Sequence, residues 1–547
     1  MRGKTNNMKK FGKNLIITMS SILLATGCTQ GAMNTKDDKI LNVAITRSLT
    51  TLNQQNTVMK DESEQILQFM EGLVRYDKDG VLQPAGAENI NVAADGLTYT
   101  FQLRKSACWQ DGTPITAADY VYTFKILVEN KLSKFVQYAD FFLNGRKVYE
   151  GILPVEELGV KALDEYTLQI ELEKPLLPFL SLLSTTTYFP VNQTLNDAVG
   201  GIENYGININ SIIANGPFIV KEYEIDKVLV LEKNENYWDK DNVKLAGVIV
   251  NIVPELSTQS ALFNSGEIDI LKITGDLANG YTDDENTITI TANQQLFMYL
   301  SGTTNAPNKL LANRNFRRAI ALAIDKAILT TNITKDGSVP LEGLFTIGAM
   351  DINGTDYREY VGTYDEPIFD IIKAREYLEL AKVELGDTPL VFKLAVQQSE
   401  PYMSVFQNIK AQIEANLPEV TVELDTYASQ LYYPKLEEYG TPAGMYTWSV
   451  GLEDLYYYAQ IFETGSFFNY YLYSNEEYDT LIQQARYETD IETQAKIYSA
   501  AEDIVVDDVV FIPLYQMGQK YKYQDRIKEF KINSRTAIFD YKNVEIE

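Results

Sequence analysis

The sequence predicts a mixed α/β fold, and three observations carry that prediction. Strand-like runs such as Tyr99-Thr100-Phe101-Gln102-Leu103 and Val228-Leu229-Val230-Leu231 alternate with helical stretches along the chain. Alternating elements of this kind bury their apolar faces as layers of helix on sheet. The chain has 547 residues, 45% of them apolar, enough to bury a core across about three domains at ~150 residues each. No stretch beyond residue 28 approaches ~18 uninterrupted apolar residues, so nothing there reads as a bilayer span.

Taken in order, the chain opens with Arg2, Lys4, Lys9, Lys10 and Lys13, then an apolar run from Leu15 to Ala25, ending at Thr26-Gly27-Cys28. A basic start, a short apolar core and small residues before the cut describe a secretory signal. The core is shorter than the ~20 apolar residues a bilayer helix needs. The stretch Leu24-Ala25-Thr26-Gly27-Cys28 resembles a bacterial lipobox, with Ala25 where Leu is usual. In such a motif the cysteine is lipidated and becomes the new N-terminus; an ordinary signal cut elsewhere is the competing reading. The expectation is a signal over 1–27, lipidation at Cys28, and a protein held by palmitate-type lipid at the extracytoplasmic face of a cell membrane. The polar residues 28–38 read as a flexible tether.

Composition fits export. The removed segment carries five basic and no acidic residues, taking the net charge from −27 to −32. A surface this anionic repels nucleic acid and acidic headgroups. With Cys28 acylated, Cys108 has no partner, so the domain must stand without a disulfide. The chain has no histidine, which removes histidine metal sites, Ser-His-Asp triads and the usual base near neutral pH. No phosphate loop or nucleophile elbow appears. Carboxylate pairs such as Glu476-Glu477 and Asp507-Asp508 read as solvated faces. No cofactor and no enzymatic activity are expected, and binding is favoured.

Ile40 to Ile45 reads as the first strand. Asp95-Gly96 predicts a turn before the strand at Tyr99, and Thr116 an N-cap for a helix over 117–129. Further helices are expected over 315–329, where apolar residues recur at helical spacing, and over 492–506. Composition marks no domain boundary.

Several segments resemble the solute-binding proteins of oligopeptide and dipeptide ABC importers, the bacterial extracellular solute-binding proteins of family 5. They are Asp95 to Arg104 with Trp109 to Asp119, Glu71-Gly72-Leu73-Val74-Arg75-Tyr76-Asp77, Asn215-Gly216-Pro217-Phe218, Asn234-Glu235-Asn236-Tyr237-Trp238 and Ser265-Gly266-Glu267-Ile268-Asp269. Arg314 to Lys326, Tyr473 to Asp479 and Ile512-Pro513-Leu514-Tyr515 continue the match in family order over about residues 40 to 520. The resemblance implies a two-lobed periplasmic-binding-protein-like clamp with an additional third domain. Lobe one would comprise 39–70, 196–295 and 518–547, the extra domain 71–195, and lobe two 296–517. It further implies a monomeric receptor that closes on an oligopeptide and delivers it to ABC permease subunits. Main-chain hydrogen bonds would hold the peptide as an added strand.

By position in the family, the resemblance places peptide-facing strands near Val58-Met59-Lys60 and Val450-Gly451-Leu452, and cleft-edge residues at Gln397, Gln398, Ser399, Tyr402 and Tyr427. An acid after the second strand, Glu453 or Asp454 with Asp454 preferred, would pair with the ligand's ammonium terminus. The family's tryptophan is replaced by Val450, with Trp448 two residues earlier, and basic residues for a peptide C-terminus are not evident near Tyr446-Thr447. Dense tyrosines at 456–458 and 470–473 suit a permissive cleft, though packing explains most of them. The alternatives are the same clamp for an oligosaccharide or peptide signal, an adhesin or signalling receptor without transport, and an extracellular hydrolase using two carboxylates.

Overall fold

Ile40–Ile45 forms the buried strand that its apolar run predicts. A computed structural model describes residues 39–57, 59–129, 140–301, 307–364, 368–438, 440–449, 454–532 and 539–547. Cys28, Val58, Val450, Gly451, Leu452 and Glu453 therefore lie outside the described residues. Ile40–Ile45 pairs in parallel with Gly247–Ile252 on one side and Ile270–Ile273 on the other. Parallel strands with both neighbours filled are covered on both faces, which is why their sequences run apolar. Val228–Lys233 and Phe218–Glu224 extend this side as antiparallel strands.

Two long antiparallel strands, Thr287–Leu300 and Phe511–Tyr523, carry the sheet onward. Phe511–Tyr523 pairs with Ile270–Ile273, and Thr287–Leu300 with Ala443–Ser449, beyond which lie Val391–Gln397 and Thr421–Tyr427. With Val339–Pro340, which pairs with Phe511–Tyr523, these strands join among the described residues in one 11-stranded sheet. The ladder between the two long strands breaks between Thr291 and Gln295, opposite Met517. A bulge of this kind bends the sheet and raises its twist. Gly518 sits at this break because Asp336-Gly337-Ser338 crosses it: a Cβ there would lie 2.2 Å from the Gly337 carbonyl carbon.

A separate antiparallel sheet orders Ala87–Val92, Thr98–Leu103, Thr167–Glu171 and Val160–Asp164. The helix Ala117–Glu129 buries Tyr120, Phe124 and Leu127. It begins where Thr116 predicts, and the Asp119 carboxylate accepts the Thr116 N–H at 2.8 Å. The Asp95-Gly96 turn forms with Gly96 at φ +68° and the Leu97 N–H bonded to Asp95 at 2.9 Å.

One helix departs from expectation. The run expected over 315–329 is helical at Arg314–Leu322, resumes at Lys326–Ile328, then continues as a π-turn over Leu329–Thr334. Asp325 caps the second piece by accepting from Ala327 N, while the Asn416 amide donates to the Ala323 carbonyl at 2.9 Å. These side chains satisfy the groups exposed by the break. The late helix Ile491–Asp508 forms as expected, longer at both ends. Among the described residues no helix is long and apolar enough to cross a membrane.

Candidate functional site

The segments that carry the family resemblance fold against one another. Glu71, buried at 4% exposure, accepts from Tyr237 Oη and Trp238 Nε1 at 2.5 Å each and from Arg75 Nη1 at 3.1 Å. Its backbone is clasped by Asn215, which accepts from Glu71 N at 2.9 Å and donates to Glu71 O at 2.8 Å. The Asn234 amide holds the Gly216 carbonyl at 2.9 Å. Asp269 accepts from Asn42 N at 2.7 Å and from both Nε and Nη2 of Arg526, tying the C-terminal segment to the first strand. Arg317, also buried, donates to the carbonyls of Leu311, Ala312, Asp508 and Val509, satisfying the end of Ile491–Asp508. These residues frame the site; with the exception of the segment from Glu71 to Asp77, they do not line it.

Above that frame opens a cavity of about 1250 Å³. One wall is built by residues 43–78 and 254–274, including the start of the helix Lys60–Phe69. A second wall is built by residues within 397–402, 429–437 and 446–470, and Gln294, Asp336, Met517, Gly518 and Gln519 line the cavity beside the sheet break. The second wall is aromatic. Tyr446 and Trp448 stack with ring planes 16° apart, and Phe468 meets Trp448 edge-on at 4.9 Å. Trp448 Nε1 donates to the Tyr457 carbonyl at 2.7 Å, which fixes the indole against the cavity.

The strand Ala443–Ser449 ends at this wall. It pairs with Thr287–Leu300 from Ala443 to Ser449, while among the described residues its pairing to Val391–Gln397 is recorded at Gly444–Ala395 alone. Thr447, Trp448 and Ser449 thus line the cavity beyond the point where that second ladder stops. A strand edge of this kind is open to an extended chain.

The expected site residues divide. Met59, Lys60, Gln397, Gln398, Ser399 and Tyr402 line the cavity. Tyr427 is not among its lining residues; its hydroxyl donates to Asp425 at 2.6 Å. The strand Thr421–Tyr427 is the outermost of the sheet, one strand further from the cavity than Val391–Gln397. Asp454 is 7% exposed and is not among the lining residues either. It caps Leu455–Ala459 by accepting from Tyr456 N at 2.9 Å. Burial pushes its carboxyl up to about 6, against the pull of the Tyr456 N–H and the Arg486 charge. It stands one turn before Tyr457, which does line the cavity.

Sequence reasoning missed Lys272, Tyr433, Thr447 and Trp448 as lining residues. The signal for Lys272 was a single charge in the otherwise apolar run Ile270-Leu271-Lys272-Ile273. Of the tyrosine groups, Tyr457 and Tyr470 reach the cavity, while Tyr458 and Tyr471 are core. Among the described residues no cluster of three or more acidic or cysteine side chains is placed to hold a metal ion.

Comparison with known proteins gives a consistent answer. A family model described as bacterial extracellular solute-binding proteins, family 5, middle, matches residues 81–470. The dipeptide-binding protein DppE of Bacillus subtilis is 27% identical over 532 residues, covering 95% of this chain and 96% of that one. The substrate-binding domain of an oligopeptide ABC transporter from Bacillus anthracis superimposes with a TM-score of 0.85 at 29% identity, over 93% of this chain and 99% of the other. Listeria monocytogenes OppA bound to peptide gives 0.84 at 28% identity, with the same coverage.

Proposed function

Since the chain belongs to the bacterial extracellular solute-binding proteins of family 5, we propose that it is an extracytoplasmic receptor that holds an oligopeptide in the cavity and delivers it to an ABC import permease. The observation that carries this reading is the strand end at Thr447–Ser449, which runs past its pairing with Val391–Gln397, meets the Tyr433 side chain at Thr447, and lines a cavity of about 1250 Å³. An extended peptide adds there as a further strand, taking affinity from its main chain. The aromatic wall of Tyr446, Trp448 and Phe468 offers apolar contact to side chains without dictating them. Its relatives' names, a dipeptide-binding protein and an OppA bound to peptide, support the same solute class.

In this reading lobe one, 39–70 with 196–295 and 518–547, forms the first wall together with 71–78 and 184–189 of the extra domain 71–195, and lobe two, 296–517, forms the second. The sheet break beside Gly518 and the long strands that pass through it then serve as the hinge. Asp454, buried and off the cavity lining in this structure, becomes the partner for the ligand's ammonium group when the turn that leads to Tyr457 opens toward the ligand. Cys28 carries the lipid that keeps the receptor beside its permease. The test is incubation of the purified whole chain with a mixture of short peptides, followed by mass spectrometry of the retained fraction. Retention of intact peptides is expected. Retention of none, or release of cleavage products, overturns the reading, and selective retention of oligosaccharides from a parallel mixture would transfer the cavity to sugars.

A further inference from the structure

The small four-stranded sheet and the large sheet share no strand, and side chains join the two bodies across a seam. On the small-sheet side, Phe142 bridges to Leu172, just past the strand Thr167–Glu171. That bridge places Phe141 and Lys174 beside the end of the strand. On the other side, Arg486 closes the helix Glu476–Arg486. Tyr478 Oη of this helix donates to the Ala459 carbonyl at 2.7 Å, which ties it to Leu455–Ala459 and the second wall. The Arg486 guanidinium carbon lies over Phe141 at 4.5 Å from the ring centroid and over Tyr456 at 4.1 Å. In the reverse direction, the Lys174 ammonium lies over Tyr487 at 4.2 Å. Each body offers a cation to a ring of the other.

Arg486 is 6% exposed, and its Nε has no hydrogen-bond partner. The carboxylates whose charge reaches it are held by others. Asp140 accepts from Arg146 at 2.7 Å, Glu463 from Tyr456 Oη at 2.9 Å and from Gln483, and Asp454 from Tyr456 N at 2.9 Å. Burying a guanidinium on such terms is costly. The ring faces offset part of that cost, and do so more strongly out of water. A planar, weakly hydrated guanidinium suits the place better than an ammonium would. The contact makes little angular demand, so the seam can part, with water taking up the charge, and form again.

The seam leads to the cavity from both sides. Phe142 meets Phe124 edge-on at 5.1 Å and Tyr188 at 6.3 Å, and Tyr188 lies in the segment 184–189 that lines the cavity. Tyr456 adjoins Tyr457, which also lines it. We infer that Arg486 is a positioning residue: held between Phe141 and Tyr456, it fastens the small-sheet body to the second wall and sets how firmly the lining segments at 184–189 and Tyr457 are held together. The inference goes beyond the peptide-receptor reading and stands for any solute in the cavity.

The test is hydrogen–deuterium exchange of the whole, empty chain, read fragment by fragment by mass spectrometry. Arg486→Met keeps an apolar stem and removes the charge. It should raise exchange about threefold to thirtyfold on both sides of the seam, in 141–143, 184–189 and 455–459, and leave Ile40–Ile45 unchanged. Arg486→Lys, which keeps a cation near the rings, should restore much of the protection. Phe141→Leu should loosen the same segments, and the double variant by clearly less than the sum of the two, because both remove one contact. Additive effects would overturn the inference. So would a rise confined to the end of Glu476–Arg486 or spread over the whole chain, or Arg486→Lys behaving as Arg486→Met. In a second measurement, randomised pentapeptides retained by wild type should wash off Arg486→Met faster by the same factor, and equal wash-off overturns the positioning role. Retention of no peptide by wild type overturns the receptor reading instead, and the exchange pattern alone then decides the seam.

Discussion

Replacing Asp454 by Asn should make the free protein more stable and the loaded protein weaker. The carboxylate is 7% exposed and its pKa rises from 3.8 to about 6, chiefly through burial. A group whose folded pKa exceeds its unfolded value destabilises the fold wherever it is ionised. The penalty is absent below pH 3.8, grows as pH rises through about 6, and is fully present at pH 7. About two pKa units correspond to about 3 kcal/mol at most. Asn keeps the shape and remains a good N-cap, so the bond to Tyr456 N survives the change. Urea unfolding should therefore show the variant more stable at pH 7 by up to about 3 kcal/mol, with the difference vanishing near pH 4. Calorimetry should show the opposite for ligand, because a desolvated ammonium left unpaired costs about 3–5 kcal/mol, or roughly 10²–10³ in affinity or more. Wild-type affinity should also fall about tenfold between pH 7 and pH 5 as the carboxylate takes up its proton. N-acetylated peptides should bind wild type poorly. Equal affinities for Asp454→Asn and wild type would refute the ammonium role, and a loss confined to Glu453→Gln would move that role one residue back. Equal stabilities at pH 7 would refute the claim that the carboxylate is desolvated.

Three further outcomes follow from the frame and the tether. Glu71→Gln, which removes the charge between Arg75, Tyr237 and Trp238, should cost about 3 kcal/mol in urea unfolding; a loss below about 1 kcal/mol would mean that the Asp540 pair alone suffices for Arg75. Gly518→Ala places a Cβ against the backbone of Gly337 and should lower stability by about 1–3 kcal/mol or more; an unchanged melting temperature would show that the crossing segment yields freely. Cys28→Ala should abolish palmitate labelling and release the protein from membranes; a variant that stays bound to the same extent would exclude the lipid anchor.

Much of the fold was legible where local chemistry decides the backbone. The Asp95-Gly96 turn, the Thr98–Leu103 strand and the Thr116–Asp119 start of Ala117–Glu129 follow from alternation and capping alone. The break near Ala323 was not legible, since Gln412 and Asn416, about ninety residues away, supply the bonds that make it tolerable. The site shows the same division. Resemblance placed Met59, Lys60, Gln397, Gln398, Ser399 and Tyr402 at the cavity. It failed to separate Tyr427 from them, because adjacency along a strand pair does not reveal which strand is outermost. Lys272 was hidden because the cavity it lines is assembled from segments far apart in the chain.

The residues that made the family recognisable are largely those whose polar atoms the frame consumes. Glu71, Asn215, Asn234, Tyr237, Trp238, Asp269 and Arg317 bond to one another or to backbone. Their replacement acts on stability, since each leaves a buried polar partner unmet. Lys60, Lys272, Tyr446 and Trp448 line the cavity. Their replacement should cost the empty protein little and act on the choice of ligand. On this reading stability is carried by side chains of the frame and ligand choice by side chains of the cavity. A variant series that spans both groups should separate on two axes, unfolding free energy for the first and peptide enrichment for the second. A single axis, with Lys272→Gln unfolding as readily as Glu71→Gln, would show that the lysine belongs to the frame.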